Sequence, residues 1–331
     1  MSAALVTGAT TPLGRRVVEH LANDASFDHV LAVGGEPATS PTGTECRIVY
    51  RQVDLTRRRD LHDLLFGVAR ELGVSVVVHL ALHRDARDEG PSIRALNVEA
   101  TRELLHQCER LPELDRFVLK SSSGVYRIDP RRSALLTEED PLELSPSAPQ
   151  SVRDRVEADL SVCTRIGSSR LAIAVLRCAE ILASGVGSQL YDYLSSRLCF
   201  RPIGFDPMLN VLSLEDATRA LAGAVSSSAT GVFNVPGADT LPLSLAIELS
   251  GRFGIPVPGP LLAPLYRVRA SALGMEFRYD VNHRRFHFSA VLDGTRAERD
   301  LGFGPEVRVH WPDLASPLQS MTSRAALKMS T

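Results

Sequence analysis

The chain has 331 residues, 44% of them hydrophobic and 23% charged, with a formal net charge of -2. That composition supports one large domain or two closely joined ones, and the small net charge offers no general attraction for nucleic acid or an anionic membrane. The longest apolar runs are strand-sized, and no basic segment with an apolar signal core precedes the first alternating residues, so a cytoplasmic protein is expected.

The first half alternates β-rich runs with amphipathic segments. Ala3 to Thr7 predicts a strand, and Leu13 to Leu21 a helix with Val17, Val18 and Leu21 inward. Val30 to Val33 and Arg47 to Val53 predict two more strands, and Leu61 to Leu72 a helix with apolar residues at helical period. Val74 to Leu80 is an almost continuous apolar run, the mark of a strand buried on both faces of a parallel sheet. Ser92 to Leu111 predicts a long helix, Phe117 to Lys120 a strand, 151–166 a helix, and Leu171 to Leu176 a further strand. The alternation argues an α/β fold with a Rossmann-type doubly wound parallel sheet over residues 1–176. From 177 to 315, Pro and Gly become frequent, and helices are expected at about 187–199, 215–227, 243–254 and 261–274. This predicts a smaller C-terminal α+β cap or substrate region with strands returning to the sheet, followed by a flexible tail at 316–331.

Thr7-Gly8-Ala9-Thr10-Thr11-Pro12-Leu13-Gly14 follows the first strand directly and opens a helix. Gly8 allows a sharp turn, Gly14 allows close helix–sheet packing, and the helix N-terminus offers N–H groups to a pyrophosphate. In that position the pattern predicts a bound dinucleotide rather than a bare tight turn. Thr11 stands where a middle glycine is usual, so its side chain is expected to narrow the phosphate site. Glu36, just past the second strand, is a candidate ribose ligand and favours NAD, with NADP possible.

Five cysteines (Cys46, Cys108, Cys163, Cys178, Cys199) without a C-x-x-C pair read as structural thiols, and nine scattered histidines give no metal pattern. His79, at the end of a buried strand, is expected to satisfy a backbone group rather than transfer a proton. The runs Arg57-Arg58-Arg59 and Arg131-Arg132 and the acidic Glu138-Glu139-Asp140 read as solvated surface. Ser213 to Asp216 has capping-box-like spacing, with Asp216 a helix-start charge.

Taken together, these segments resemble an extended short-chain dehydrogenase/reductase of the NAD-dependent epimerase/dehydratase type, over about residues 1–235. Beyond the turn, the resemblance is carried by Val53-Asp54-Leu55-Thr56, Val78-His79-Leu80-Ala81, Asn97-Val98-Glu99-Ala100-Thr101 and Val118-Leu119-Lys120-Ser121-Ser122-Ser123-Gly124-Val125-Tyr126. Asp206-Pro207 and Leu212 to Ala217 add to it downstream. It implies cofactor contacts from Gly8, Thr10, Thr11, Pro12, Leu13, Gly14, Glu36, Asp54, Leu55, Leu80, Ala81, Asn97 and Ser121. It also implies a homodimer through helices near 92–111 and 151–166.

Members of this family use a Ser, a Tyr and a Lys four residues after the Tyr. Ser122 takes the serine position. Aligning the helix on Glu157 puts Pro149 at the tyrosine and Arg153 at the lysine, and no tyrosine exists between Tyr126 and Tyr191. Arg153 can still donate to a ribose, but the usual proton transfer is absent. Three readings remain open. One is a cofactor-binding relative without the standard catalysis, acting as a ligand-responsive or scaffold protein with a small molecule in its cap cleft. Another is an active oxidoreductase or epimerase/dehydratase using Tyr126, with Asp154 a lesser candidate. The third is an interaction protein that has lost nucleotide binding.

Overall fold

The computed structural model describes residues 2–37 and 47–311; Cys46 and the expected tail lie outside them. In chain order the sheet-forming half comprises Ala3–Thr7 (β1), Pro12–Asn23 (α1), His29–Gly34 (β2), Ile48–Gln52 (β3) and Arg58–Asp63 (α2), which continues into a π-helical turn at Leu64–Ala69. Val74–His79 (β4) follows, then one rod made of Pro91–Arg94 (α3), the π-helical Ala95–Glu99 and Ala100–Cys108 (α4). Arg116–Ser122 (β5), Leu135–Leu136 (β6), Gln150–Cys163 (α5) and Ala172–Cys178 (β7) complete it. Seven parallel strands assemble in the order β3-β2-β1-β4-β5-β7-β11, the last being Gly231–Val235 (β11) from the C-terminal half.

The strands are apolar throughout because both faces are covered. On one side α1 and Leu214–Ser226 (α7) bring Val17, Leu21, Ala217 and Leu221 against Val6, Val78, Val118 and Leu176. On the other, Leu61, Leu65, Leu104 and Leu105 cover Leu5, Leu31, Val77 and Phe117. Strand order reverses between β1 and β4, which opens a crevice at the carboxyl edge where doubly wound sheets bind ligands.

The remaining elements are Glu180–Ile181 (β8), Gln189–Leu194 (α6), Leu198–Pro202 (β9), Met208–Leu212 (β10), Asp239–Pro242 (β12), Leu243–Leu249 (α8), Phe253–Val257 (β13), Gly259–Leu273 (α9), Tyr279–Asn282 (α10), Val291–Leu292 (β14) and Thr295–Leu301 (α11). Their own core is aromatic: Tyr193 lies 5.2 Å from Phe277 and 4.9 Å from Phe286, ring centre to ring centre. Two expected helices end early. Residues 198–202 and 253–257 pair as parallel strands β9 and β13. This residue-for-residue pairing of 198–202 with 253–257 ends α6 before them, and Gly251, at φ +67°, stops α8.

Ser213 caps α7 by accepting from Asp216 N (3.0 Å), as its spacing implied. Asp216 also holds a distant segment: its buried carboxylate accepts from Glu306 N and Val307 N, both at 2.9 Å. Among the described residues no helix is long and apolar enough to cross a membrane, and no cluster of ligand side chains could hold a metal ion.

Candidate functional site

The glycine turn is set by close backbone approach. Gly8 has φ +69°, and a Cβ there would lie 3.0 Å from backbone atoms of Leu80 and Ala81. A Cβ on Gly14 would sit 2.1 Å from Gly8 O, so no side chain fits where α1 crosses the turn. At Gly34 a Cβ would meet Thr10 Cγ2 and Tyr50 Oη at 2.7 Å, side-chain ends that could give way, unlike the backbone met at Gly8 and Gly14. Thr11 is the N-cap of α1. Its hydroxyl donates to Gly8 O (2.8 Å) and accepts from Gly14 N (2.9 Å), which folds the side chain back into the turn. Pro12 has no N–H and Arg15 N bonds Thr11 O, so Leu13 is left as the first-turn donor facing the crevice.

From the turn a groove of about 710 Å³ runs over the ends of β1, β2 and β4, with Gly8, Thr11, Glu36, Asp54, Leu55 and Ala81 among its walls. Asp54 is held below its usual carboxylate range by hydrogen bonds from Thr56. Glu36 is exposed, 3.9 Å from Arg84 Nη2, and its carbonyl accepts from the Tyr50 hydroxyl. Asp85, Asp192 and Glu276 also line this groove. Burial, with Glu276 and Glu180 nearby, pushes Asp192 up to about 7. Arg84 Nη1 donates to Gly185 O (2.8 Å), and this contact bridges the groove beside Pro12.

The crevice floor rests on one imidazole. His79 is fully buried; its Nδ1 lies 2.7 Å from Thr7 Oγ1 and its Nε2 2.9 Å from Thr101 Oγ1. Thr101 spends its proton on Asn97 O (2.8 Å), so Nε2 carries the ring proton and Nδ1 accepts from Thr7. Burial holds the imidazole neutral, with its pKa lowered to about 4. The expected backbone partner is thus replaced by two threonine hydroxyls. Asn97 Oδ1 accepts from His83 N (2.7 Å), which positions the loop after β4.

Beyond Thr11 and Leu80 a cavity of about 70 Å³ opens over the ends of β5 and β7. Its polar lining comprises Thr11, His83, Arg84, Lys120, Ser121, Ser122, Arg155, Asp159, Glu180 and Ser188. Ser122 Oγ accepts from Gly124 N (3.0 Å), and Ser121 Oγ donates to Asp159 Oδ2 (2.5 Å). Here the register expected for α5 needs correction by two residues. Glu157 points outward, accepting from Arg94 and Arg102 (both 2.7 Å), whereas Asp159 points inward. The inward set is therefore Ser151, Arg155 and Asp159, at helical spacing of four. Pro149 is the N-cap and Arg153 is exposed, and both line a separate cleft of about 850 Å³ toward α9 and α10. Ser151 Oγ is buried without a hydrogen-bond partner. In neither register does a tyrosine enter the cavity.

Tyr126 is committed elsewhere. Its hydroxyl donates to Asn234 Oδ1 (2.7 Å) and accepts from Arg177 Nη1 (3.2 Å), and Arg177 pairs with Asp159 at 2.6 Å. Burial pushes the phenol up to about 12. Its network carries a fold-joining role, tying β5, α5, β7 and β11 together, and is a poor source of a mobile proton. Asp154 is buried under Gln150 and Arg94. Glu138 is not solvated as expected: its buried carboxylate accepts from Asn234 N (2.8 Å). Burial pushes the thiols of Cys108, Cys163, Cys178 and Cys199 up, as befits unreactive core groups.

Lys120 and Arg155 were not among the expected site residues. The signal for Lys120 was a lysine ending an apolar strand; for Arg155 it was the spacing Ser151, Arg155, Asp159.

A glycine turn on the first strand, a crevice at the β1/β4 switch and a serine at the end of β5 define a dinucleotide site of the extended dehydrogenase/reductase class. Residues 4–193 match the NAD dependent epimerase/dehydratase family, and the chain belongs to that family. It is 30% identical over 309 residues to the uncharacterized protein Rv0501 of Mycobacterium tuberculosis, spanning 91% of this chain and 80% of that protein. Among solved structures it is similar to DesIV, a dTDP-glucose 4,6-dehydratase of Streptomyces venezuelae with NAD and TYD bound. That match has 20% identity and a TM-score of 0.70 and covers 98% of each chain. A UDP-glucose 4-epimerase of Thermotoga maritima with UDP-glucose gives 15% identity and a TM-score of 0.70, over 98% of this chain and 99% of that one. At these identities the structural likeness establishes the Rossmann-type fold. NAD is the cofactor of the family, and the turn fits it: Gly8 and Gly14 let α1 open directly onto the groove with no side chain between backbone and crevice.

Proposed function

We propose that the chain is an NAD-binding, ligand-responsive member of its family that lacks tyrosine-based proton transfer. The observation that carries this reading is the lining of the cavity beside Ser122: Lys120, Arg155, Asp159 and Glu180 share it with Thr11, His83, Arg84 and Ser188, and no phenol is among them. Leu13 N–H would hold the pyrophosphate, Asp54 and Glu36 the adenosine, and Arg155 the second ribose. When bound, NAD supplies hydride exchange with a substrate carbon. Glu36 and Asp54, beside the adenosine end of the groove, disfavour the extra phosphate of NADP. A dimer through α4 and α5, and a cytoplasmic location, belong to the same reading.

A second reading is favoured by one observation. The Lys120 amine shares the cavity with Ser122 and is held below its usual range by burial and by Arg155, which suits it to accept a proton in place of the missing phenol.

Calorimetric titration with NAD and NADP, followed by turnover assays with UDP-glucose and dTDP-glucose, tests the proposal. The expected result is NAD binding preferred over NADP, with no turnover. Turnover abolished by Lys120→Met establishes the second reading; turnover abolished by Tyr126→Phe overturns both.

A further inference from the structure

Three cations meet around the cavity with too few counter-charges. Lys120 and Arg155 line the cavity, and Arg285 lines the adjoining hollow on the cap side; Glu180 lines both. Arg155 and Arg285 converge: a Cβ on Gly124 would lie 3.7 Å from Arg155 Nη1 and 4.0 Å from Arg285 Nη2. Arg285 reaches Ser123 Oγ only at 3.4 Å from each Nη. Among the described residues none of the three cations has a carboxylate oxygen within 4.0 Å, although Arg94, Arg177 and Arg278 nearby are all paired. Asp159 also faces the cavity, but Arg177 neutralises it. Arg84 also lines the cavity, but it donates to Gly185 O and lies 3.9 Å from Glu36, so three cations without a paired carboxylate face Glu180, an excess of two. Burial pulls all three cations below their ordinary ranges. All three are half-buried, and like charges held together with little water between them destabilise the fold unless something of opposite sign completes them.

We infer that Lys120, Arg155 and Arg285 form a receptor for an anionic group, a carboxylate or a phosphate, on the small molecule that the cap cleft admits. Two guanidinium forks and an ammonium suit such a group, because planar forks bond two oxygens at once and the ammonium adds a point charge. Ser122 and Ser123 supply hydroxyls on the same rim. Its position beyond Thr11 and Leu80 puts the anion at the reacting end of the crevice, apart from the glycine turn. The inference rests on the ligand-binding reading above, but its test does not need NAD.

The test uses the full chain at constant ionic strength, with sodium phosphate or sodium malonate replacing chloride, and reads thermal midpoint and calorimetric affinity. A saturable rise with phosphate alone assigns a phosphate group, and with malonate alone a carboxylate. Lys120→Met and Arg285→Gln should each weaken that binding roughly tenfold, and Glu180→Gln should tighten it. In chloride, Lys120→Met should melt higher than the parent, because an unmatched, half-buried charge is gone; a merely structural lysine would leave it melting lower. The inference is overturned if neither anion raises the midpoint, or if both variants respond like the parent. It is also overturned if phosphate still competes with NAD in the double variant Lys120→Met/Arg285→Gln, since the anion would then sit at the cofactor's own pyrophosphate site. Anion binding intact with no NAD binding overturns only the nucleotide reading.

Discussion

At the turn end of the crevice, backbone atoms define the site: Gly8 and Gly14 leave no room for a Cβ against neighbouring backbone, and the charged side chains nearby are mostly carboxylates. At the cavity end the backbone is ordinary and side-chain charge defines the site, with Lys120, Arg155 and Arg285 around Glu180. The same sheet edge thus carries a negative groove and a positive cavity, separated by Thr11 and bridged by Arg84. A site set by space resists change of ligand, because nothing else fits it. One set by charge is retuned by single substitutions, so family membership speaks for the first end and leaves the second open.

The largest effect should come from Gly14→Ala. Its methyl would overlap Gly8 O, costing about 3 kcal/mol in urea unfolding and abolishing NAD binding. If the variant folds, phosphate binding at the cavity should persist; joint loss would erase the distinction between the ends. A smaller effect concerns the floor they share. The His79 pKa is about 4 in the fold against 6.5 when exposed, so the unfolded chain binds more protons between those values. Stability should therefore fall as pH drops through 6.5 toward 4, by about 2 kcal/mol at pH 5. His79→Gln should flatten that slope in pH-dependent unfolding, and an unchanged slope would mean the ring is not neutral in the fold. The smallest effect is that of Thr11→Gly, which restores the usual middle glycine. Because the Thr11 hydroxyl is used inside the turn, the loss should be only about 0.3 kcal/mol. NAD affinity should stay within roughly threefold. A tenfold gain would show instead that the side chain narrows the phosphate site.

The N-terminal sheet was legible because its strands are continuous apolar runs and its helices keep a clear period. Val74 to His79 and Val17, Val18 and Leu21 lie as the pattern implied. The turn was legible because only glycine satisfies its geometry. The register of α5 was not, since Glu157 and Asp159 offer two acidic anchors and only packing reveals which one faces Ser121. Strands β9 and β13 were hidden because five-residue runs beside genuine helices extend the helical pattern by chance. Lys120 was visible as the end of a strand, but its role depends on Arg155 and Arg285, brought to it from 35 and 165 residues away by the fold.

The bond from Arg84 to Gly185 also bears on kinetics. It crosses the crevice between its two ends and is reinforced by Gly187, where a Cβ would fall 2.9 Å from Arg84 O. Arg84 lines both the groove and the cavity, so a molecule long enough to occupy both ends would meet this arginine on entry and again on exit. Residence time and equilibrium affinity then become separate properties, the first governed by how often one arginine lets go and the second by the walls it spans.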